Sequence, residues 1–225
     1  MKRNNNVVFI VFCIFICFIF FYKLHHWPAV YQYSEFDGLK YLIQFFINLE
    51  FQYFNPHWLW HDSYLHTSGE SPLMWLTHSI PFLLMDYSFF TIRLGPVILA
   101  IFSILVTYKA LNLLIHDQNN VVLILLSLVS SPAYLVLVRS SSIISIGISI
   151  HLLTISSIIF MMNKANFKNV LFSGILLVLL GYGHTTLRIF LPTLFIFISY
   201  ILFIQNKRLF VFFLCFILIL LMPLS

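Results

Sequence analysis

The sequence predicts an all-α protein that crosses a membrane about seven times. Three observations carry that expectation. Of the 225 residues, 61% are hydrophobic and only 8% are charged, whereas a soluble domain is about 25% charged. The apolar residues, 26 Phe among them, gather into long runs separated by short polar stretches. Within the runs polar and apolar positions do not alternate as in a barrel, so backbone groups in lipid must be satisfied within helices.

The first run, Val7 to Tyr22, is "VVFIVFCIFICFIFFY" and follows "MKRNNN". The bulky "KLHHWPAVYQY" after it offers no small-residue cleavage site, so residues 7–24 read as a retained helix rather than a signal peptide. Residues 25–88 form the one long connection. Within it Asp37, Lys40, Gln44, Asn48 and Gln52 recur at three- or four-residue spacing among Leu, Ile, Phe and Tyr. That is a narrow polar stripe on a helix lying in the membrane interface. "FNPHWLWH" ends it, with Trp58 and Trp60 as interfacial anchors. "TSGESP" reads as a turn, and a short apolar helix broken near Pro81 follows.

Six further runs fill residues 89–225: Phe89 to Leu114, Val121 to Val138, Ile143 to Met162, Val170 to Tyr182, Ile189 to Ile204 and Leu209 to Met222. Pro96, Pro132 and Pro192 lie within or near helix ends and read as kinks. Gly174, Gly181 and Gly183 read as points of close helix packing. The whole chain is expected to be a single membrane domain.

The net charge of +5 comes from basic residues scattered singly between apolar runs, so it is not a nucleic-acid signal, and no nucleic-acid partner is expected. Cys13, Cys17 and Cys215 all sit inside apolar runs, with no disulfide or zinc pattern. With the N-terminus in the cytoplasm, the inner side holds Lys2, Arg3, Lys109, Lys164, Lys168, Lys207 and Arg208. The outer side holds Lys23, Lys40, Arg93, Arg139 and Arg188, spread over more residues. This is the positive-inside bias, and it places residues 25–88 outside. The outer loops carry no N-x-S/T sequon, which favours a bacterial inner membrane.

The candidate chemistry lies in "YSEFDGLKY", Tyr33 to Tyr41. Ser34-Glu35-Phe36-Asp37 fits a capping box, and acids favour a helix N-terminus. The same two carboxylates could instead be working groups at the membrane surface. His57 and His61 are one helical turn apart beside Asp62, but with no third clear ligand interfacial histidines are the simpler account, and no metal or cofactor is expected.

Four co-linear stretches bear on the choice. Glu35-Phe36-Asp37 is followed by "SGESPLMWLTHSIPF", Ser68 to Phe82, and by "DYSFFTIRLGPVILAIFSILVTYKAL", Asp86 to Leu111. "SPAYLVLVRSS" (Ser131 to Ser141) and "GYGHTTLRIFLPTLF" (Gly181 to Phe195) come later. In order and spacing, residues 1 to 200 resemble the GT-C membrane glycosyltransferases of the protein mannosyltransferase and aminoarabinose transferase kind. Gly38 stands where that family tends to carry the second of two adjacent acids, and its chains commonly run to twice this length.

The resemblance implies a GT-C-like core that moves a hexosyl or pentosyl group from a polyprenyl-phosphate sugar donor to an acceptor at the extracytoplasmic face, with inversion. The acceptor class (protein, lipid or polymer) stays open. Asp37 would be the base that takes the acceptor's proton, with Glu35 as second choice. Arg93, Arg139 and Arg188 would bind the donor phosphate near the outer helix ends, with His184, Thr185 and Thr186 beside Arg188. Ordinary snorkelling to headgroups is the competing account of each arginine. Two other functions stay open: a truncated or degenerate paralogue serving as an assembly subunit for a membrane protein partner, and a sugar-lipid transporter. The runs carry no Asp or Glu at mid-span, which weighs against the transporter. The remaining expected partner is membrane lipid.

Overall fold

The computed structural model describes residues 2–24, 77, 81, 84–85, 88–140, 143–181 and 189–221. Among these residues every regular element is a helix. In chain order they are α1 (Lys2–Phe21), α2 (Phe89–Leu114), α3 (Gln118–Val129), α4 (Pro132–Arg139), α5 (Ile143–Asn163), α6 (Phe167–Gly181), α7 (Leu191–Gln205) and α8 (Lys207–Leu221). The helices fall on the apolar runs, with ends shifted by a few residues. The long connection, including the expected interfacial helix from Asp37 to Phe54, lies outside the described residues except for a few isolated positions near its end.

The third run, Val121 to Val138, carries the kink expected at Pro132, and it is sharp: the run divides into α3 and α4, bent by 68°. The cause is "SSP" at its centre. Ser130 donates its hydroxyl to the Leu126 carbonyl at 2.7 Å, competing with the main-chain ladder. The Ser131 amide reaches Leu128 at 3.2 Å, a tightened turn. Pro132 has no N–H to continue the ladder and instead begins α4, where a helix needs no donor.

Among the described residues, two helical stretches are by themselves long and apolar enough to cross a membrane, Phe90–Leu114 and Ile146–Asn163. The bent α3–α4 pair makes a third if it acts as one span. Val7–Phe21, α6 and α7 are apolar but shorter. At 1.5 Å per residue α2 rises about 39 Å and a fifteen-residue helix about 22 Å, against a hydrocarbon core of about 30 Å. The outside of the bundle is greasy: Ile14 is 64% exposed, Phe18 62% and Ile196 66%. So much exposed apolar surface suits a lipid solvent rather than water.

Pairwise contacts set the directions of the helices. Phe9 stacks on Tyr108 with ring centroids 4.5 Å apart, while Arg93 reaches Leu24, so α1 and α2 are antiparallel. Phe20 meets Tyr134, and Val8 shares a cavity wall with Val122, so α1 runs parallel to α3 and α4. α2 and α5 run side by side and form the most extensive helix pair. The pair packs apolar residues, with Leu99 and Val106 of α2 against the Ile146, Ile150 and Leu153 cluster of α5, and carries one buried polar contact, between Thr107 and Ser156. Ser156 donates to the Thr107 hydroxyl across the seam at 3.0 Å. Such hydrogen bonds help hold helices together where hydrophobicity supplies no drive.

One end of the bundle, the lower end, is where α1 begins and the tight connections lie. Side-chain carbonyls and amides close it. Asp117 accepts from the Asn119 amide at 3.0 Å, and Asn166 accepts from Asn169 at 2.9 Å. Gln205 donates to Met162 and accepts from Ala165, both at 3.2 Å. Asn206 caps the start of α8 through Arg208 and Leu209. At the upper end, where α1 finishes, the closing groups are of a different kind.

The seam of α6 and α8 depends on Gly174. A Cβ there would fall 2.7 Å from Cε1 of Phe216, whose ring stacks on Phe212. Gly174→Ala is therefore expected to lower stability by about 1–3 kcal/mol, the usual range for overpacking. Thermal unfolding in detergent should show that loss, and Phe216→Leu in the same chain should recover most of it.

Candidate functional site

The upper end is built around the terminus of α1. After Phe21 the chain turns through Lys23, whose φ of 48° lies in the left-handed region. A residue with a Cβ pays about 1–2 kcal/mol there, so something must hold the turn. The final carbonyls of a helix have no donor from within it. Here two arginines supply donors. Arg93 Nη1 donates to the Leu24 carbonyl at 3.0 Å. Arg139 Nη1 donates to Ile19 at 3.4 Å, and its Nη2 donates to Tyr22.

Arg93 is fully buried and Arg139 is 5% exposed. Both therefore give up water, and charge-assisted hydrogen bonds offset that loss. Guanidinium suits the task because its planar fork serves several oxygens at once, and a cation is favoured at a helix C-terminus. The helices that deliver the two groups are locally well defined. Ser88 caps α2, accepting from the Thr91 amide at 3.2 Å, and this sets Arg93 on the second turn. Arg139 is the last residue of α4, and the chain leaves it through buried Ser140.

Two of the site residues expected from sequence, Arg93 and Arg139, thus meet at one end of the bundle, 46 positions apart in the chain. Each lies within electrostatic reach of the other. Both sit where residues 25–88 begin. Asp37, Glu35, His184 and Arg188 lie outside the described residues, as do His57, His61 and Gly183. Among the described residues no group of three His, Cys, Asp or Glu is placed to hold a metal.

Sequence reasoning passed over His151. It lies on α5, in the upper half of the bundle, and meets Phe190 edge to face at 5.4 Å. Its Nδ1 is 2.9 Å from the Gly147 carbonyl, so that nitrogen carries the proton. Nε2 is buried without a hydrogen-bond partner. The signal was present, since an ionisable residue inside an apolar span is a functional hypothesis by default. Attention to Asp and Glu alone missed it.

Comparison of the chain with protein-family models, curated proteins and solved structures finds no match.

If the arginines hold the end of α1, Arg93→Met should cost about 1.5–3 kcal/mol, the worth of a hydrogen bond to a charged group. Detergent-titrated unfolding measures it. Arg93→Lys should recover only part, because an ammonium on a flexible stem lacks the planar fork.

Proposed function

We propose that this chain is a multi-pass membrane protein with a GT-C-like core, which transfers a sugar from a polyprenyl-phosphate donor to an acceptor at the extracytoplasmic face. In this reading the helices cross the membrane seven times, with α3 and α4 as one broken span. The N-terminus and the amide-capped lower end face the cytoplasm of a bacterial inner membrane. One observation supports the reading above the others. Arg93 and Arg139 come from two separate motif stretches, "TIRLG" and "SPAYLVLVR", and converge at the mouth of the loop that carries the acids.

The chemistry is consistent with those residue types. As the acceptor oxygen attacks the anomeric carbon, the Asp37 carboxylate takes its proton, and Glu35 is the alternative base. The bond from carbon to the phosphate oxygen breaks on the opposite face, so the anomeric centre inverts. Negative charge grows on the departing polyprenyl phosphate. Arg93, Arg139 and Arg188 stabilise it, with His184 near Arg188. The pair at the end of α1 contributes its charge in a water-poor setting, where fixed cations act strongly.

A second reading draws on the same geometry. Guanidinium donors of Arg93 and Arg139 go to main-chain carbonyls of α1 and the turn after it, a structural use. With Gly38 in place of a second acid, that favours an assembly subunit without catalysis.

Membranes containing the chain and radiolabelled polyprenyl-phosphate sugars separate the two. Catalysis predicts transfer that falls by about 100- to 10,000-fold in Asp37→Asn, the usual worth of a general base. Unchanged transfer in Asp37→Asn would remove the base assignment. No transfer by the wild type from any such donor, together with a stoichiometric complex with a longer membrane protein, would establish the subunit.

A further inference from the structure

Along the lower and middle part of α1 a cleft of about 400 Å³ opens between α1 and α3, ending at Phe15, one turn below the Ile19 that accepts from Arg139. Val7, Val8, Val11 and Phe15 of α1 and Val122 and Leu126 of α3 form its walls. Val7 and Val11 are more than half exposed, so the cleft opens sideways from the bundle. It lies about 8–20 Å along α1 from Lys2, a depth that matches the hydrocarbon of one leaflet, about 15 Å. Both helices enter this level from polar first turns: "KRNNN" opens α1 and "QNN" opens α3.

We propose that this cleft seats one acyl chain of an anionic phospholipid from the leaflet at which α1 begins. Three features choose that occupant. The volume falls within the range of about 300–1,000 Å³ that holds small ligands. The walls are Val, Phe and Leu, without the Gly, Ala, Ser or Thr that bring one membrane helix close to another. The charge at this end of the chain is of the complementary sign. The backbone of α1 carries Lys2 and Arg3 about one turn before Val7, and exposed Lys109 follows the Tyr108 that stacks on Phe9. Clustered basic residues at a membrane surface recruit acidic headgroups. The tail fills the cleft, and the phosphate sits among the basic and amide groups. The site depends on the membrane reading and not on sugar transfer.

The test places the full chain in phosphatidylcholine vesicles carrying a trace of phosphatidylglycerol with a photoactivatable diazirine in its acyl chain. After irradiation, adducts are mapped by mass spectrometry. Adducts within residues 7–15 and 121–126 should exceed those around the equally exposed Ile196 and Phe203 several-fold. A phosphatidylcholine probe should label the cleft several-fold less. Val8→Trp, which fills the cleft from its exposed wall, should reduce labelling there to the level of the other faces, and Val11→Phe should act in the same direction. Lys2→Gln with Arg3→Gln should abolish the preference for the anionic probe without emptying the cleft. Labelling equal on all exposed faces, or equal for the two headgroups in the wild type, would overturn the proposal. So would a cleft that excludes lipid and crosslinks to a second copy of the chain.

Discussion

A helix that ends in a poor solvent for polar groups must find donors for its last carbonyls, and in this protein that demand falls on the end of α1. Two buried guanidiniums meet it, one from α2 and one from α4. The bonds fix three helices at one level and hold the left-handed turn at Lys23. Breaking either would leave buried carbonyls without partners in a setting where each unsatisfied group is costly. The rest of the upper end, including the start of the acidic loop, begins from this anchored point.

The two ends of the bundle solve the same problem with different chemistry. Below, Asp117, Asn166, Gln205 and Asn206 close the termini with short side chains and tight connections. These capping groups are one carboxylate and three amides, all acting here as hydrogen-bond acceptors. Above, the closing groups are two guanidinium cations held in a fixed geometry on the main-chain carbonyls at the end of α1. Between the ends α2 and α5 adhere through apolar packing and one buried Ser–Thr hydrogen bond. The Phe-rich sides of α1 and α7 are left facing outward.

Much of this was legible in the sequence because the governing signal was coarse. Long apolar runs in a chain so poor in charge leave helices as the only solution, and the starts at Phe89 and Ile143 follow from where polar residues interrupt, whereas α1 and α6 begin at Lys2 and Phe167, a few residues before the apolar runs at Val7 and Val170. Finer features were less legible. Pro132 announced a kink but not its size, which depends on how Ser130 and Ser131 satisfy the carbonyls before it. Arg93 and Arg139 were recognisable as charged groups near helix ends, yet their shared attachment to Ile19, Tyr22 and Leu24 is a tertiary fact with no local signature. Gly174 could be read as a packing glycine, but its partner Phe216 could not. His151 carried a readable signal and was overlooked, since its neighbour Phe190 is brought near only by the fold.

The alternation of the two ends across a bilayer is the claim on which every functional reading rests. Single cysteines placed in a background lacking Cys13, Cys17 and Cys215 test it directly, with a membrane-impermeant thiol reagent applied to sealed vesicles of known orientation. The exposed residues Lys23, Ser88 and Ile189 mark the upper end, and His116, Lys164 and Asn206 mark the lower. Lys23→Cys, Ser88→Cys and Ile189→Cys should label only from one side, and His116→Cys, Lys164→Cys and Asn206→Cys only from the other. Labelling of both sets from the same side would contradict the bundle's passage through the membrane.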